Sequence, residues 1–569
     1  MLTDGVVTLR AHEDRDLPRI LELALDPVSR QNLPLPEPYG EADARAFLAR
    51  VRDKWQDDTA HEWAVEGPDG RYAGSVNSHD RSPERVEIGY AAHPDSRGHG
   101  LVARAVRLVL DRSFADGVQL ARWRCRAGNL ASARVAWTCG FGAPAVVVGG
   151  WRGTGGGLDD AWHAAIRAGD PVHATRPWWT PAVLEGERVR LRRWRVTDRP
   201  ATGHDEGPEG FDDRSQPSAP DFPEWLAAGE LEMARGEGVR WCLADRASDA
   251  VLGHLELTGL RHPGHPGTGR LRHWLLPAAR GRGLLGEALS LLAGHAFAIR
   301  AEDDHAGAGG LGLHRVLAQA DLDDLASQRV LRRAGFREVA LLRETRAATT
   351  DSPAHDEALF ELLRTDDVAA QSISPLAVPD LETARVRLRS WREDDAPRVD
   401  DVLDADAARW VPERGIPTPQ TFSAWLRRRR RLADRRLALN WCIADRATDR
   451  AMGNVTLFVH GDEPIDFQAE LGYFLWPWAR GRALLAEVVP VVLAHGFAPA
   501  ADGGLGLTRI QAATDSDNLA SRAVLLRAGF RQWGADHQAF RRRDGSLADG
   551  SHFELLAADR VTGRPDPSG

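Results

Sequence analysis

Cysteine and lysine are scarce in this chain: four cysteines and one lysine, Lys54, in 569 residues. Four cysteines over this length exclude a disulfide-stapled scaffold. Cys242 and Cys442 lie at matching points of apolar, strand-like runs and are expected in the core, while Cys125 and Cys139 lack metal-ligand spacing, so no metal site is expected. No apolar run reaches the ~20 residues of a membrane span. The opening MLTDGVVTLR has neither the charged nor the apolar part of a signal peptide, so a cytoplasmic protein without membrane contact is expected. With 43% hydrophobic and 27% charged residues the composition is that of folded globular chains. A net charge of −9 argues against nucleic acid as the main partner.

One pattern is present three times. It reads EIGYAAHPDSRGHGLV at Glu87–Val102, RLRHWLLPAARGRGLL at Arg270–Leu285 and ELGYFLWPWARGRALL at Glu470–Leu485. In each, a strand-like run meets a proline (Pro94, Pro277, Pro477), an Arg-Gly turn follows, and a helical pattern opens. A helix start free of bulk presents unpaired N–H groups and partial positive charge, which suits a phosphate. A second pattern follows each copy: NLASARVAWTCGF at Asn129, DLASQRVLRRAGF at Asp324 and NLASRAVLLRAGF at Asn518. The openings also match (VTLR at Val7, VRLRRW at Val189, VRLRSW at Val386), as do WCLADRASD at Trp241 and WCIADRATD at Trp441. So long a period means tandem domains rather than a solenoid. The boundaries are placed at 1–165, 183–366 and 380–569, with linkers 166–182 and 367–379.

The third repeat shows the order of elements most clearly. Strand Val386–Trp391 leads to acidic residues and a helical stretch, then a helix near Phe422–Arg436. Strands follow at Trp441–Ala444, Gly453–Val459 and Ala469–Leu475. After the Arg480 turn come a helix to Phe497, strand Thr508–Thr514, helix Leu519–Ala528 and a terminal strand pair. This is a mixed α/β order.

These motifs resemble the GNAT superfamily of N-acyltransferases, in particular its RimJ/RimL-like branch, which modifies protein N-terminal amines. The resemblance covers nearly the whole chain as three tandem domains. It implies an α/β fold in which each domain has a mixed, splayed central sheet flanked by helices. It also implies a thioester donor, acyl-CoA or a phosphopantetheine arm on an acyl carrier protein, lying between two parting strands. The acceptor it implies is a peptide or protein amine. By the same resemblance, the pyrophosphate turn is carried by Arg97, Gly98 and Gly100, by Arg280, Gly281 and Gly283, and by Arg480 and Gly481, with Asn129 and Asn518 in the following helix. The near absence of lysine fits a GC-rich coding sequence, or an enzyme that spares its own amines from reactive acyl groups.

Departures from the family pattern rank the repeats. Val102, Leu285 and Leu485 stand where the family has a small residue, and the third loop has Ala483 in place of glycine; a Cβ there is expected to crowd a ligand. An amine must lose its proton before it attacks a thioester, and a carboxylate can accept it. Glu87 and Glu470 stand at the family's base position; the second repeat has Arg270 there, with His273 as a substitute or a merely structural residue. The family's tyrosine acid has no counterpart, since Ala136, Leu331 and Leu525 hold its place. Ser132, Ser327 and Ser521 are the substitutes by motif, although each also suits a helix cap. Repeat one alone keeps Glu, Arg-Gly-x-Gly, Asn and Ser together and is favoured as the working site. A noncatalytic triplet that binds acyl-CoA, or an aminoacyl-tRNA-dependent transferase, is the alternative.

Two segments stand apart. The run Arg427–Arg431 is either a solvated helix face or a docking patch for an acidic partner such as an acyl carrier protein. The Gly- and Trp-rich stretch from Gly142 to Val183 suggests packing between domains.

Overall fold

The structure is a computed structural model. It describes the chain apart from residues 58–59, 153–156, 199–216, 218–219, 302–303, 347–353, 399–408, 411–414, 461–466, 543 and 563–569. The helical stretch expected after Trp391 lies largely in 399–408, outside the described residues. Three eight-stranded sheets follow one another along the chain. By compactness the chain divides into two units, Met1–Ala318 with Glu361–Thr365, and Gln319–Phe360 with Asp366–Gly569.

In the first unit, sheet one comprises β1 Leu2–Thr3, β2 Thr8–Arg10, β3 His61–Glu66, β4 Tyr72–His79, β5 Arg85–Ala92, β6 Leu120–Arg126, β7 Ala145–Arg152 and β8 Leu158–Arg167. Their order is 1-2-3-4-5-6-8-7. All pairs are antiparallel except β5 with β6, which is parallel and runs only from Arg85↔Leu120 to Glu87↔Arg122. Beyond Glu87 the two strands part, which gives the splayed sheet that the resemblance implied. Residues alternate across a strand. Val86 and Ile88 therefore join Val102, Val106 and Leu110 of helix Leu101–Ala115 in one core. The opposite face is covered by helices Leu17–Leu25 and Glu41–Gln56, which bring Ile20, Leu23, Ala44 and Leu48 against Ala64 and Tyr72.

The stretch after Gly142 forms β7 and β8, an antiparallel pair that completes the sheet. Its tryptophans then pack against the second repeat, as expected. The Trp178 amide donates to His305 O (2.9 Å) and the Trp179 amide to Met233 O (3.0 Å). Within this unit the second repeat contributes β9 Leu184–Glu185, β10 Val189–Arg192, β11 Val239–Asp245, β12 Val251–Thr258, β13 Thr268–Leu275 and the start of β14 Arg315–Asp321. The parallel pairing of β13 with β14 ends at Leu271↔Ala318.

The second unit holds β15 Arg337–Arg346 and most of β16 His355–Leu363, followed by the third sheet. That sheet comprises β17 Leu381–Glu382, β18 Val386–Arg389, β19 Ala438–Asp445, β20 Ala451–Val459, β21 Gln468–Leu475, β22 Arg509–Asp515, β23 Arg531–Arg541 and β24 Leu547–Leu556. The parallel pairing of β21 with β22 ends at Glu470↔Gln511, the same place as in sheet one. One face packs on helix Leu484–Phe497 through Ala469, Leu471, Val488 and Val492. The other packs on helix Phe422–Asp434 through Trp391, Phe422, Trp425, Phe474 and Trp476.

A buried bidentate ion pair recurs at each opening strand. Arg10 reaches Asp16 (2.8 and 2.7 Å), Arg192 reaches Asp198 (2.9 and 3.0 Å) and Arg389 reaches Asp395 (2.8 Å twice). The planar guanidinium fork matches a carboxylate edge-on, which is why arginine stands at this point in all three VxLR openings.

The arginine run of helix Phe422–Asp434 is largely paired within its unit. Arg427 meets Asp323 (2.8 Å), Arg431 meets Glu338 (2.7 Å) and Arg430 meets Glu393 (2.8 Å). Asp434 of the same helix accepts from Arg329 at 2.8 Å.

Candidate active site

The three pyrophosphate-type loops share one backbone. A one-turn 3-10 helix (Pro94–Ser96, Pro277–Ala279, Pro477–Ala479) leads to the arginine, then to two left-handed positions before the long helix. Those positions are Gly98 (φ +79°) and Gly100 (φ +73°), Gly281 (+70°) and Gly283 (+73°), and Gly481 (+70°) and Ala483 (+54°). The third loop therefore keeps its shape despite the alanine, at the cost of an alanine in a region that L residues avoid. A Cβ placed on Gly98, Gly100 or Gly281 would meet nothing within 4 Å, so open space lies over these loops where a phosphate can approach. The expected crowding by Val102, Leu285 and Leu485 does not occur. These three side chains turn inward: Val102 and Leu285 are buried, and Leu485 packs on the core of its sheet.

The loop arginines differ. Arg280 and Arg480 each fold back to donate Nε to the strand-end carbonyl, Leu275 O and Leu475 O, both at 3.1 Å. Arg97 is drawn off to Asp26 Oδ2 (2.5 Å) and Ser29 Oγ (2.9 Å). Repeats two and three also carry a second loop arginine, Arg282 and Arg482, where repeat one has His99.

Asn129, Asp324 and Asn518 are N-caps: their side-chain oxygens accept the amides of Ser132, Ser327 and Ser521, each at 3.0 Å. This satisfies one orphan amide of a short helix. The serine hydroxyls have a further role, through tyrosines that sequence reasoning missed. The Tyr90 hydroxyl on β5 donates to Ser132 O at 2.7 Å and accepts from Ser132 Oγ at 3.3 Å. On β21 the Tyr473 hydroxyl lies 3.0 Å from Ser521 Oγ. A phenol therefore stands in the splay of repeats one and three, reached from the strand rather than from the helix. The signal was in the sequence: two of the chain's four tyrosines stand three residues after Glu87 and Glu470. Burial pushes the Tyr473 phenol up to about 12, against the lowering by Ser521, and pushes Tyr90 well above its ordinary value. His273 is the equivalent in repeat two; it alternates away from Arg270 on β13, so it does not take the base's place on that face.

What fills the splay differs sharply. The residue after Arg122 on β6 is Trp123, only 2% exposed, and its indole N–H donates to Ser132 Oγ at 3.2 Å. The matching residues of repeats two and three are Ala318 and Ala512. In repeat one the gap between the parting strands is thus bridged by a Trp–Ser–Tyr chain. In the other two an alanine leaves it unbridged from this position.

The base candidates also differ. Glu87 is buried and bound by Arg124 Nε (2.7 Å) and His79 Nε2 (3.2 Å). Burial raises its carboxyl, but the His79 hydrogen bond and the Arg124 charge outweigh this and hold it below its ordinary value. Glu470 is exposed at the mouth of the splay, opposite Phe458 rather than a histidine. In repeat two, Arg270 stands there, and Glu256 on the neighbouring strand is locked to Arg240 at 3.0 Å.

Among the described residues no group of three or more His, Cys, Asp or Glu could hold a metal, and no helix is long and apolar enough to cross a membrane.

The family model described as acetyltransferase (GNAT) domain matches the chain at residues 7–142, 188–337 and 385–531. A curated relative, an uncharacterized N-acetyltransferase YoaA of Bacillus subtilis, is 32% identical over 188 residues, 31% of this chain and 97% of the relative. Among solved structures, a GNAT-family acetyltransferase from Bacillus anthracis is 18% identical with TM-score 0.27, over 31% of this chain and 98% of the other. A ribosomal-protein-S5-alanine acetyltransferase from Vibrio fischeri is 21% identical with TM-score 0.28, over 32% and 98%. With three matches that together span most of its length, the chain belongs to the acetyltransferase (GNAT) family and is an acyltransferase built of three such domains in tandem.

Proposed function

We propose that this protein moves an acyl group from acyl-CoA to the α-amine of a peptide or protein, and that the third repeat is the working site. The observation that carries this is the pairing of Tyr473 and Ser521 beside an alanine-lined splay, with an exposed Glu470 at its mouth.

The chemistry follows from the geometry. The pantetheine arm enters between β21 and β22 past Ala512, and its pyrophosphate lies on the loop from Arg480 to Ala483. Glu470, directly or through a water, takes the proton from the incoming ammonium, and the neutral nitrogen attacks the thioester carbonyl. β21 amides beyond Glu470, past the end of the pairing with β22, offer donors to the oxyanion. The attacking nitrogen gives up its second proton to solvent, the C–S bond breaks, the neutral amide forms and the sulfur leaves as thiolate. A thiol titrates near about 8.5, well below the Tyr473 hydroxyl at about 12. Tyr473 therefore keeps its proton and stabilises the departing sulfur as a hydrogen-bond donor.

Repeats one and two serve as scaffold in this reading, which reverses the ranking by motif intactness. Support for coenzyme A over a carrier protein comes from the arginine helix, whose Arg427, Arg430 and Arg431 are already paired with Asp323, Glu393 and Glu338. The test is intact-mass measurement of peptides with free N-termini after incubation with the full chain and acetyl-CoA. One acetyl unit should be gained, and the rate of gain should fall at least about 100-fold with Glu470→Gln.

A further inference from the structure

Helix Phe422–Asp434 divides its arginines between two sides. Arg427 and Arg431 are ion-paired as described, but Arg429 turns toward the sheet. Its guanidinium lies 5.2 Å from the centre of the Trp425 ring and 5.8 Å from that of Phe458. Among the described residues it has no carboxylate partner. Burial, with the like charge of Arg428, pulls it down to about 10.

The second repeat shows what normally accompanies a cation at this place. There a guanidinium also sits over the matching tryptophan, Arg240 over Trp225 at 5.2 Å, although it arrives from β11 rather than from the helix. It is neutralised twice, by Glu232 (2.8 Å) and Glu256 (3.0 Å). The third repeat has lost both acids. Ten residues after the helix-opening phenylalanine, Glu232 is matched by Leu432. The cross-strand row Arg240–Glu256–Arg272 is matched by Asn440–Thr456–Gly472. The positive charge has thus been kept by a different residue while its counter-charges have gone. A half-buried cation that no described carboxylate neutralises is costly, and an anion that arrives with a ligand removes that cost.

The location says which ligand. Phe458, which Arg429 overlies, is the direct cross-strand partner of Glu470, and its ring leans over Gly472, where a Cβ would meet Phe458 Cε2 at 3.3 Å. Arg429 and Glu470 therefore flank one aromatic floor on the acceptor face. We propose that the acceptor of the third repeat carries a carboxylate close to its amine, which Arg429 receives while Glu470 faces the nitrogen; the substrate class is a peptide whose first residues are acidic. This rests on the third repeat being the acceptor site.

The test is equilibrium binding to the full chain, with coenzyme A present, of two peptides labelled at their C-termini and free at their N-termini. One has aspartate and glutamate at its second to fourth residues, the other asparagine and glutamine. The acidic peptide should bind about tenfold more tightly, the worth of one charge-assisted hydrogen bond. Arg429→Met should bring the two affinities within about twofold by weakening only the acidic peptide. Leu432→Glu, which restores the acid of repeat two without shortening Arg429, should do the same and remains informative if the first variant fails to fold. Equal binding of both peptides to the unmodified chain, or a preference that survives both substitutions, overturns the proposal. Because binding is read without turnover, an acidic preference in a chain that transfers no acetyl group would overturn the catalytic reading and leave this one standing.

Discussion

The indole nitrogen of Trp123 on β6 lies 3.2 Å from Ser132 Oγ on the following helix, which in turn meets the Tyr90 hydroxyl of β5 beside the gap where the two strands part. The same gap in the third sheet faces Ala512, and there Ser521 meets Tyr473 alone. A tryptophan in place of an alanine is a difference of a whole bicyclic ring at this position.

Donor binding should count the open slots. Calorimetry with coenzyme A is expected to give fewer than three equivalents per chain, and Trp123→Ala should add one. The substitution should cost about 3–5 kcal/mol of stability in the first repeat, so its far-UV spectrum has to be checked alongside.

The two strand glutamates should behave unequally. Glu470→Gln is expected to lower kcat by about 10²–10⁴ with little change in donor affinity. Glu87→Gln, already held as an anion by Arg124 and His79, should leave turnover within about twofold. Steady-state kinetics of the two variants decides this, and equal losses would place the chemistry elsewhere.

Tyr473→Phe removes a donor to the leaving sulfur. A hydrogen bond to a charged group is worth about 1.5–3 kcal/mol, so kcat should fall about 10- to 100-fold. Because its hydroxyl holds its proton up to about 12, the pH–rate profile should keep its shape in the variant. A basic limb near neutrality that disappears with the substitution would contradict this role.

Ala483 adopts φ +54° in the third loop. Ala483→Gly should raise the stability of the third repeat by about 1 kcal/mol by removing that strain. Denaturant unfolding measures the gain, and the KM for acetyl-CoA should stay the same or fall.

The buried Arg10–Asp16 pair gives a pH signature. Burial raises the Asp16 carboxyl, but the Arg10 hydrogen bonds and the Glu13 amide outweigh it, so its folded value is below the ordinary one. A depressed folded value contributes stability that is present above the unfolded value of about 3.9 and is lost as pH falls through the folded one. Asp16→Asn should therefore cost about 3–5 kcal/mol at neutral pH, and the deficit should shrink below about pH 4. Urea unfolding at several pH values reads both.

Much of the fold was legible because it repeats and because its signals are local. The strand–turn–helix at Arg97, Arg280 and Arg480 appears where its spacing put it, whereas the cap of the following helix is made by the side chains of Asn129, Asp324 and Asn518 rather than by the serines three residues on. The helix expected near Phe422–Arg436 spans Phe422–Asp434. The penalty assigned to Val102, Leu285 and Leu485 was not borne out. A motif position shows that a side chain exists at the helix start but not which way it turns, and all three turn into the core. The Arg427–Arg431 run looked like a free face for a related reason: its partners Asp323 and Glu338 lie about a hundred residues away in sequence.

The sequence by itself determined that the chain is three copies of one domain, since hydrogen-bonded turns, caps and apolar periodicity are written in consecutive residues. Only the tertiary structure decided how the three copies differ where their strands part. Whether the slot between two parting strands is open depends on residues some 40 positions apart, Tyr90 with Ser132 and Tyr473 with Ser521. It depends equally on the one side chain, Trp123 or Ala512, that packing drives into the space between them.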